Sequence, residues 1–235
     1  MKITFEEEND DMVFRVSEFH KKYETVLKMC FYTQENSSYT KRYPKNAKNL
    51  ERIMKYYFDH AQEMFDQLGY FSPIPWDTAL FEFAKMIENK DINWWLTGSC
   101  AVCLRGIPLD PHDVDVMIDS KDVDRISDLF ADYLIEPIID TYGWITKDFG
   151  VIFRHARIDI ASDPKEILDK PEPIDCGPFA SANLEEVNWK GLIIRVPPLS
   201  LSLNANKRRE RIDRVEKIEK YISQISQCPS KALSY

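Results

Sequence analysis

Between Trp94 and Asp119 the chain reads WWLTGSCAVCLRGIPLDPHDVDVMID, and this stretch constrains the fold more than any other. Trp94 to Thr97 is a short apolar run suited to a buried strand, Gly98 punctuates it, and Ser99 is placed to cap a helix over Cys100 to Arg105 that Gly106 stops. A turn built from Pro108, Asp110 and Pro111 returns the chain as a strand from Asp113 to Ile118. Side chains alternate along a strand, so Val114, Val116 and Ile118 share one face while Asp113 and Asp115 share the other. Both carboxylates then lie at the same end of the sheet as Gly98 and Ser99.

Two like charges roughly 6 to 7 Å apart on one strand face repel and need compensation. A hard divalent cation such as magnesium, which prefers carboxylate and phosphate oxygens, supplies it. The Gly-Ser turn offers what a phosphate needs, namely close backbone approach at Gly98, the Ser99 hydroxyl, and free N–H groups at a helix start. Phosphate together with metal points to a nucleotide.

These residues resemble the nucleotidyltransferases of the DNA polymerase β superfamily, in which a Gly-Ser or Gly-Gly turn is followed about a dozen residues later by Asp-x-Asp or Asp-x-Glu. Gly98, Ser99, Asp113 and Asp115 match that motif. The wider pattern of Leu-Thr-Gly-Ser, Leu-Arg-Gly at Leu104 to Gly106, and His-Asp-Val-Asp-Val is most similar to the branch that includes aminoglycoside 2''-O-nucleotidyltransferase. The resemblance implies an α+β fold with a small mixed sheet flanked by helices, and a third carboxylate on a later strand beside the Asp-x-Asp strand. Ala156 to Ala161 reads as such a strand, with Arg157 and Asp159 on one face, and Asp159 is the residue that fits. It further implies catalytic and metal-binding roles for Asp113, Asp115 and Asp159, nucleotide contacts from Gly98 and Ser99, one or two Mg2+ ions, and a nucleoside triphosphate, ATP foremost, as substrate.

The chain has 235 residues, 44% of them hydrophobic, which is enough for a sizeable core. A net charge of −8 and a pI near 5.2 argue against wrapping long nucleic acid, and favour a small-molecule acceptor over nucleic acid. An acidic protein suits a cationic acceptor such as an aminoglycoside. Relatives acting on RNA or protein in toxin–antitoxin systems, and a non-catalytic protein retaining the fold to hold a nucleotide or partner, are the alternatives. No run approaches the roughly 18 to 20 apolar residues of a membrane span, no signal-peptide core follows Met1, and five cysteines without a disulfide framework fit a reducing compartment, so the expected location is the cytoplasm. The Cys100-x-x-Cys103 pair lacks a second ligand pair and reads as core.

Three regions follow from periodicity. Residues 1–75 read as an N-terminal helical region, with one amphipathic helix from Asp11 to about Glu35, a polar turn-like segment from Asn36 to Pro44, and a second helix from Leu50 ending at Gly69. This region lies outside the recognised motif and is the candidate for acceptor specificity. Residues 76–198 form the nucleotidyltransferase core, with a helix over Thr78 to Glu88, a helix from Ser120 to Leu134 whose aspartates at 122, 124, 128 and 132 make a solvated face, and a long surface loop from Asp163 to Glu186. Residues 199–235 read as one C-terminal helix packed on the core. Its basic run, Lys207, Arg208, Arg209, Arg211 and Arg214, is interleaved with acidic residues, and pairing at i, i+4 accounts for most of it, while the resemblance implies as the alternative a contact of this run with nucleotide or acceptor. His112 reads as a turn residue directed away from Asp113.

Overall fold

The computed structural model describes residues 1–227. Its central element is a five-stranded mixed sheet in the order β5-β6-β9-β8-β7, formed by Trp94–Thr97, Val114–Ile118, Ala156–Ser162, Asp148–Arg154 and Leu134–Asp140 respectively. Strands β6 and β9 run parallel and the other neighbours antiparallel. The alternation that defines β6 and β9 is visible in burial, because Val114, Val116 and Ile118 meet Ile158 and Ile160 in the core. The α+β class and the mixed sheet expected from the sequence are what the chain adopts.

Helix α2 (Leu50–Leu68) buries Ile53, Tyr57, Ala61, Met64, Phe65 and Leu68, one stripe at helical spacing, and α3 (Trp76–Ile87) buries Leu80, Phe83 and Ile87. Helix α2 is fastened to the central sheet where the Tyr56 hydroxyl donates to the Phe153 carbonyl at 2.7 Å and the Gln67 amide donates to the His155 carbonyl at 2.7 Å.

The N-terminal region departs from the helix expected over Asp11–Glu35. Lys2–Glu8 (β1) and Asp11–Ser17 (β2) form a hairpin, only Glu24–Met29 (α1) is α-helical, and Thr33–Glu35 (β3) with Ser38–Pro44 (β4) completes a four-stranded sheet in the order β1-β2-β4-β3. Turn chemistry overrides the apparent periodicity. Asn9 and Asn36 both take positive φ, the conformation a two-residue hairpin needs, and Phe14 and Val16 then fall on one buried face. This sheet packs on α2, with Phe14 and Tyr57 edge to face at 5.0 Å, so α2 lies between two sheets in one continuous apolar cluster. A buried ion pair, Lys41 to Glu136 at 2.6 Å, ties β4 to β7.

Three further expectations change. The helix after β6 is shorter, α5 at Val123–Leu129, and Asp122 is buried, accepting the Asn93 amide and pairing with Arg125, while Asp124, Asp128 and Asp132 stay solvated. The segment after β9 contains a short helix, α6 (Pro178–Ser181), before the hairpin of β10 (Glu185–Trp189) and β11 (Leu192–Val196). The single C-terminal helix is two, α7 (Leu199–Arg208) and α8 (Ile212–Gln227), broken where Glu210 takes φ 54°. Helix α8 packs through Ile218 onto Val102, Ile107 and Leu109 around α4 (Gly98–Cys103). No helix among the described residues is long and apolar enough to cross a membrane.

Candidate active site

The parallel register of β6 and β9 sets Asp115 directly opposite Asp159, and Asp113 precedes β6 on the same face. One carboxylate oxygen from each of the three lies within 4.8 Å of the others. The cluster is partly buried at the floor of a cavity of about 300 Å³. Gly98 starts α4 with φ +66°, and a Cβ there would overlap the Asp115 carboxylate, so both conformation and space require glycine. Ser99 is buried beside it and lines the same cavity. All five residues singled out in the sequence are therefore brought to one place.

Sequence reasoning missed one group, Asp175, and gave three others mainly a structural role. Asp175, in the segment read as a featureless loop, is buried; its carboxylate accepts the Gly98 amide and the Ser202 hydroxyl, and its carbonyl accepts the Thr97 hydroxyl at 2.8 Å. This locks the Gly-Ser turn against α7, and no local motif announces it. The others are Arg209, Arg211 and Arg214, which line the cavity and form no ion pair among the described residues. The expected i, i+4 pairing is not what organises them, because the break at Glu210 turns these guanidinium groups toward the carboxylates. Burial, and after it the charges of Arg214 and Arg209, lower the Arg211 pKa. Three unpaired arginines on one wall make an anion site. Of the C-x-x-C pair read as core, Cys100 is buried and Cys103 is half-buried against the cluster of Val102 and Ile218. His112 faces the cavity instead of turning away, packed against Tyr70 at 4.4 Å.

Burial raises the Asp115 carboxyl well above the usual carboxylate range, and the charges of Asp113 and Asp159 push it further. Burial also raises Asp113, against the pull of Arg157, Arg211 and Arg214. Asp159 is pushed up to about 6 by burial, although Arg157 opposes this from 2.5 Å. A carboxyl raised in the folded state favours folding below its unfolded value near ~3.9 and loses that contribution as pH rises through the folded value. In EDTA, Asp115→Asn is expected to melt higher than the parent at pH 7.5, and this margin should shrink toward pH 5, by scanning calorimetry. The lowered imidazole of His112 acts in the opposite direction but is common to both proteins. A margin independent of pH would contradict the repulsion.

A Gly-Ser turn heads a helix, an Asp-x-Asp strand lies beside it and a third aspartate sits on the adjoining parallel strand of a small mixed sheet, the arrangement that the resemblance to nucleotidyltransferases implies. Residues 79–163 match the family described as aminoglycoside-2''-adenylyltransferase, a span of little over a third of the chain that holds all three aspartates and the Gly-Ser turn. Among solved structures, a Thermotoga maritima protein proposed to be a nucleotidyltransferase is similar at 18% identity and a TM-score of 0.45, over 63% of this chain and 92% of that one. The lincosamide antibiotic adenylyltransferase LnuA, solved with lincomycin bound, is similar at 15% identity and a TM-score of 0.42, over 60% of this chain and 94% of that one. No curated protein sequence matches the chain.

Proposed function

We propose that this protein transfers the nucleoside monophosphate of a nucleoside triphosphate, ATP in keeping with the matched family, to a hydroxyl of a small-molecule acceptor. The observation that carries the reading is the meeting, in one cavity, of a three-carboxylate cluster with a wall of three unpaired arginines. The acceptor oxygen bonds to the α-phosphorus, the bond from that phosphorus to the bridging oxygen breaks, and pyrophosphate leaves with the bonding pair. Arg209, Arg211 and Arg214 receive the β- and γ-phosphates and the charge that accumulates on the departing pyrophosphate. Ser99 supplies a hydroxyl donor beside them, and Asp175 keeps the turn in position.

The donor set fits Mg2+. It is oxygen only, its like charges crowd within 4.8 Å, and the one cation paired with it, Arg157, is engaged by Asp159. Asp113, Asp115 and Asp159 would hold one or two ions, which when bound supply neutralisation of phosphate charge and acidify the acceptor hydroxyl. Asp159 is also placed to receive the hydroxyl proton, a role that a carboxylate suits.

Pyrophosphate release in the presence of MgCl2, each of the four triphosphates and a panel of hydroxylated small molecules, tRNA and the protein itself tests this reading. Turnover with a small molecule, abolished by EDTA, is expected. Turnover only with tRNA or protein would move the acceptor to a macromolecule. Silence throughout, without magnesium-dependent nucleotide binding, would reject the enzyme. A charge-assisted hydrogen bond is worth about 1.5–3 kcal/mol, so Arg211→Ala is expected to raise the KM for the triphosphate roughly 10- to 100-fold. Its melting temperature should not fall, since a guanidinium repelled by two neighbours has been removed.

A further inference from the structure

The cavity that the arginines line also has a surface of a different chemistry. Met29, Phe31 and Trp144 line it, with Phe31 and Trp144 edge to face at 5.5 Å. Both rings are open to solvent, Phe31 61% and Trp144 41% exposed. Phe31 follows the C-terminus of α1 with φ 62°, where its amide bonds to the Lys28 carbonyl at 3.0 Å. Glycine is the comfortable residue for this position, and a bulky aromatic there is strained. A side chain neither buried nor relaxed is not explained by packing. Trp144 is presented by a bonded loop in which its amide donates to the Thr141 hydroxyl at 3.2 Å and Lys165 donates to the Gly143 carbonyl at 2.6 Å, while Phe149 braces its ring at 5.7 Å.

A run of contacts links the carboxylates to this surface. Asp115 is registered against Asp159, Asp159 pairs with Arg157, and Arg157 reaches the Cys30 thiol at 3.4 Å, one residue from Phe31, while Arg209 and Arg211, at the break between α7 and α8, and Arg214 on α8 come from a separate part of the chain. In a phosphoryl-type displacement the attacking and leaving oxygens lie on opposite sides of the phosphorus. With pyrophosphate on the arginines, the attacking hydroxyl enters from the aromatic side.

The geometry points to Phe31 and Trp144 as the wall of an acceptor site that takes a hydroxylated small molecule with an apolar ring face. This rests on the nucleotidyl-transfer reading and narrows its acceptor class. Among the described residues the cavity is lined by four arginines and by the three aspartates that would hold the metal, a lining that disfavours the ammonium groups of a polycation. Met29 and Phe31 lie outside the matched span of residues 79–163, whereas Trp144 lies within it.

Calorimetric titration of the protein loaded with Mg2+ and α,β-methylene-ATP tests the inference, using 4-nitrophenyl β-glucoside as the ring-faced probe and kanamycin as the polycation. The glucoside is expected to bind more tightly than kanamycin. Phe31→Ala and Trp144→Ala should each weaken it at least tenfold, Trp144→Phe less than threefold, and α,β-methylene-ATP affinity should stay within twofold in all three. Binding of neither probe, preference for kanamycin, or indifference to both alanine substitutions would overturn it. A tenfold loss of α,β-methylene-ATP affinity in either alanine variant would show that the rings hold the nucleotide base instead. Failure of the parent protein to bind α,β-methylene-ATP would instead strike the nucleotidyl-transfer reading itself.

Discussion

Asparagine at position 115 is expected to lower kcat by at least about 10³-fold while leaving the protein folded, because electrostatic and metal-based stabilisation of the transition state contributes several kcal/mol. Asp115 is the centre of the cluster. It is registered opposite Asp159, shares its face with Asp113 and contacts the Gly98 turn, so no neighbouring carboxylate can take over its position. Asparagine keeps the shape and removes the charge that burial and two like neighbours oppose. Loss of activity should therefore accompany a gain in metal-free stability, the pattern expected where function holds a strained site in place. Steady-state pyrophosphate release and calorimetry on the same preparation check both halves. Retained activity would remove Asp115 from the chemistry, and a fall in stability would show that its charge is compensated in the free protein.

Alanine at Gly98 is expected to lower both activity and stability. A left-handed backbone costs a residue with a Cβ about 1–2 kcal/mol, and the added carbon would overlap the Asp115 carboxylate. Relief requires the carboxylate or the turn to shift, and a displacement of about 1 Å at a reacting centre costs roughly 10²-fold in rate. At about 2–4 °C per kcal/mol for a chain of this size, a drop of several degrees in melting temperature is expected. Unchanged stability with normal turnover would mean that the turn relaxes at no cost and that the close approach of Gly98 to Asp115 does not matter. Gly106, where a Cβ would meet nothing within 4 Å, provides the control for positive φ alone.

The chemistry of the site was legible because it is local. Gly98, Ser99, Asp113 and Asp115 fall within one strand–helix–strand unit, and Asp159 could be assigned because the resemblance calls for a third carboxylate on a later strand and alternation with Ile158 and Ile160 gives it a face. The arginine wall was legible only in part. The resemblance offered the basic run a contact with nucleotide or acceptor, but by spacing alone Lys207 to Arg214 is indistinguishable from a solvated helix, and it is the break at Glu210 that sends three of its guanidinium groups into the cavity. Asp175 was hidden for a similar reason, since its partners Gly98 and Ser202 are distant in the chain and no spacing rule connects them. The N-terminal sheet was misread as helix because Met12, Val13, Val16 and Phe19 fit a helical stripe, while the decisive information sat in Asn9 and Asp10 at the turn. That error hid the acceptor-side surface, because Phe31 reaches the cavity only through the sharp exit from the short α1.

The most direct test of nucleotidyl transfer follows the label. With [α-32P]ATP, Mg2+ and an acceptor that supports turnover, radioactivity is predicted on the acceptor, and with [γ-32P]ATP it is predicted in pyrophosphate and not on the acceptor. Label from the γ position on the acceptor, or released as orthophosphate, would contradict attack at the α-phosphorus, and with it the metal-holding role of the three aspartates and the phosphate-binding role of the arginine wall.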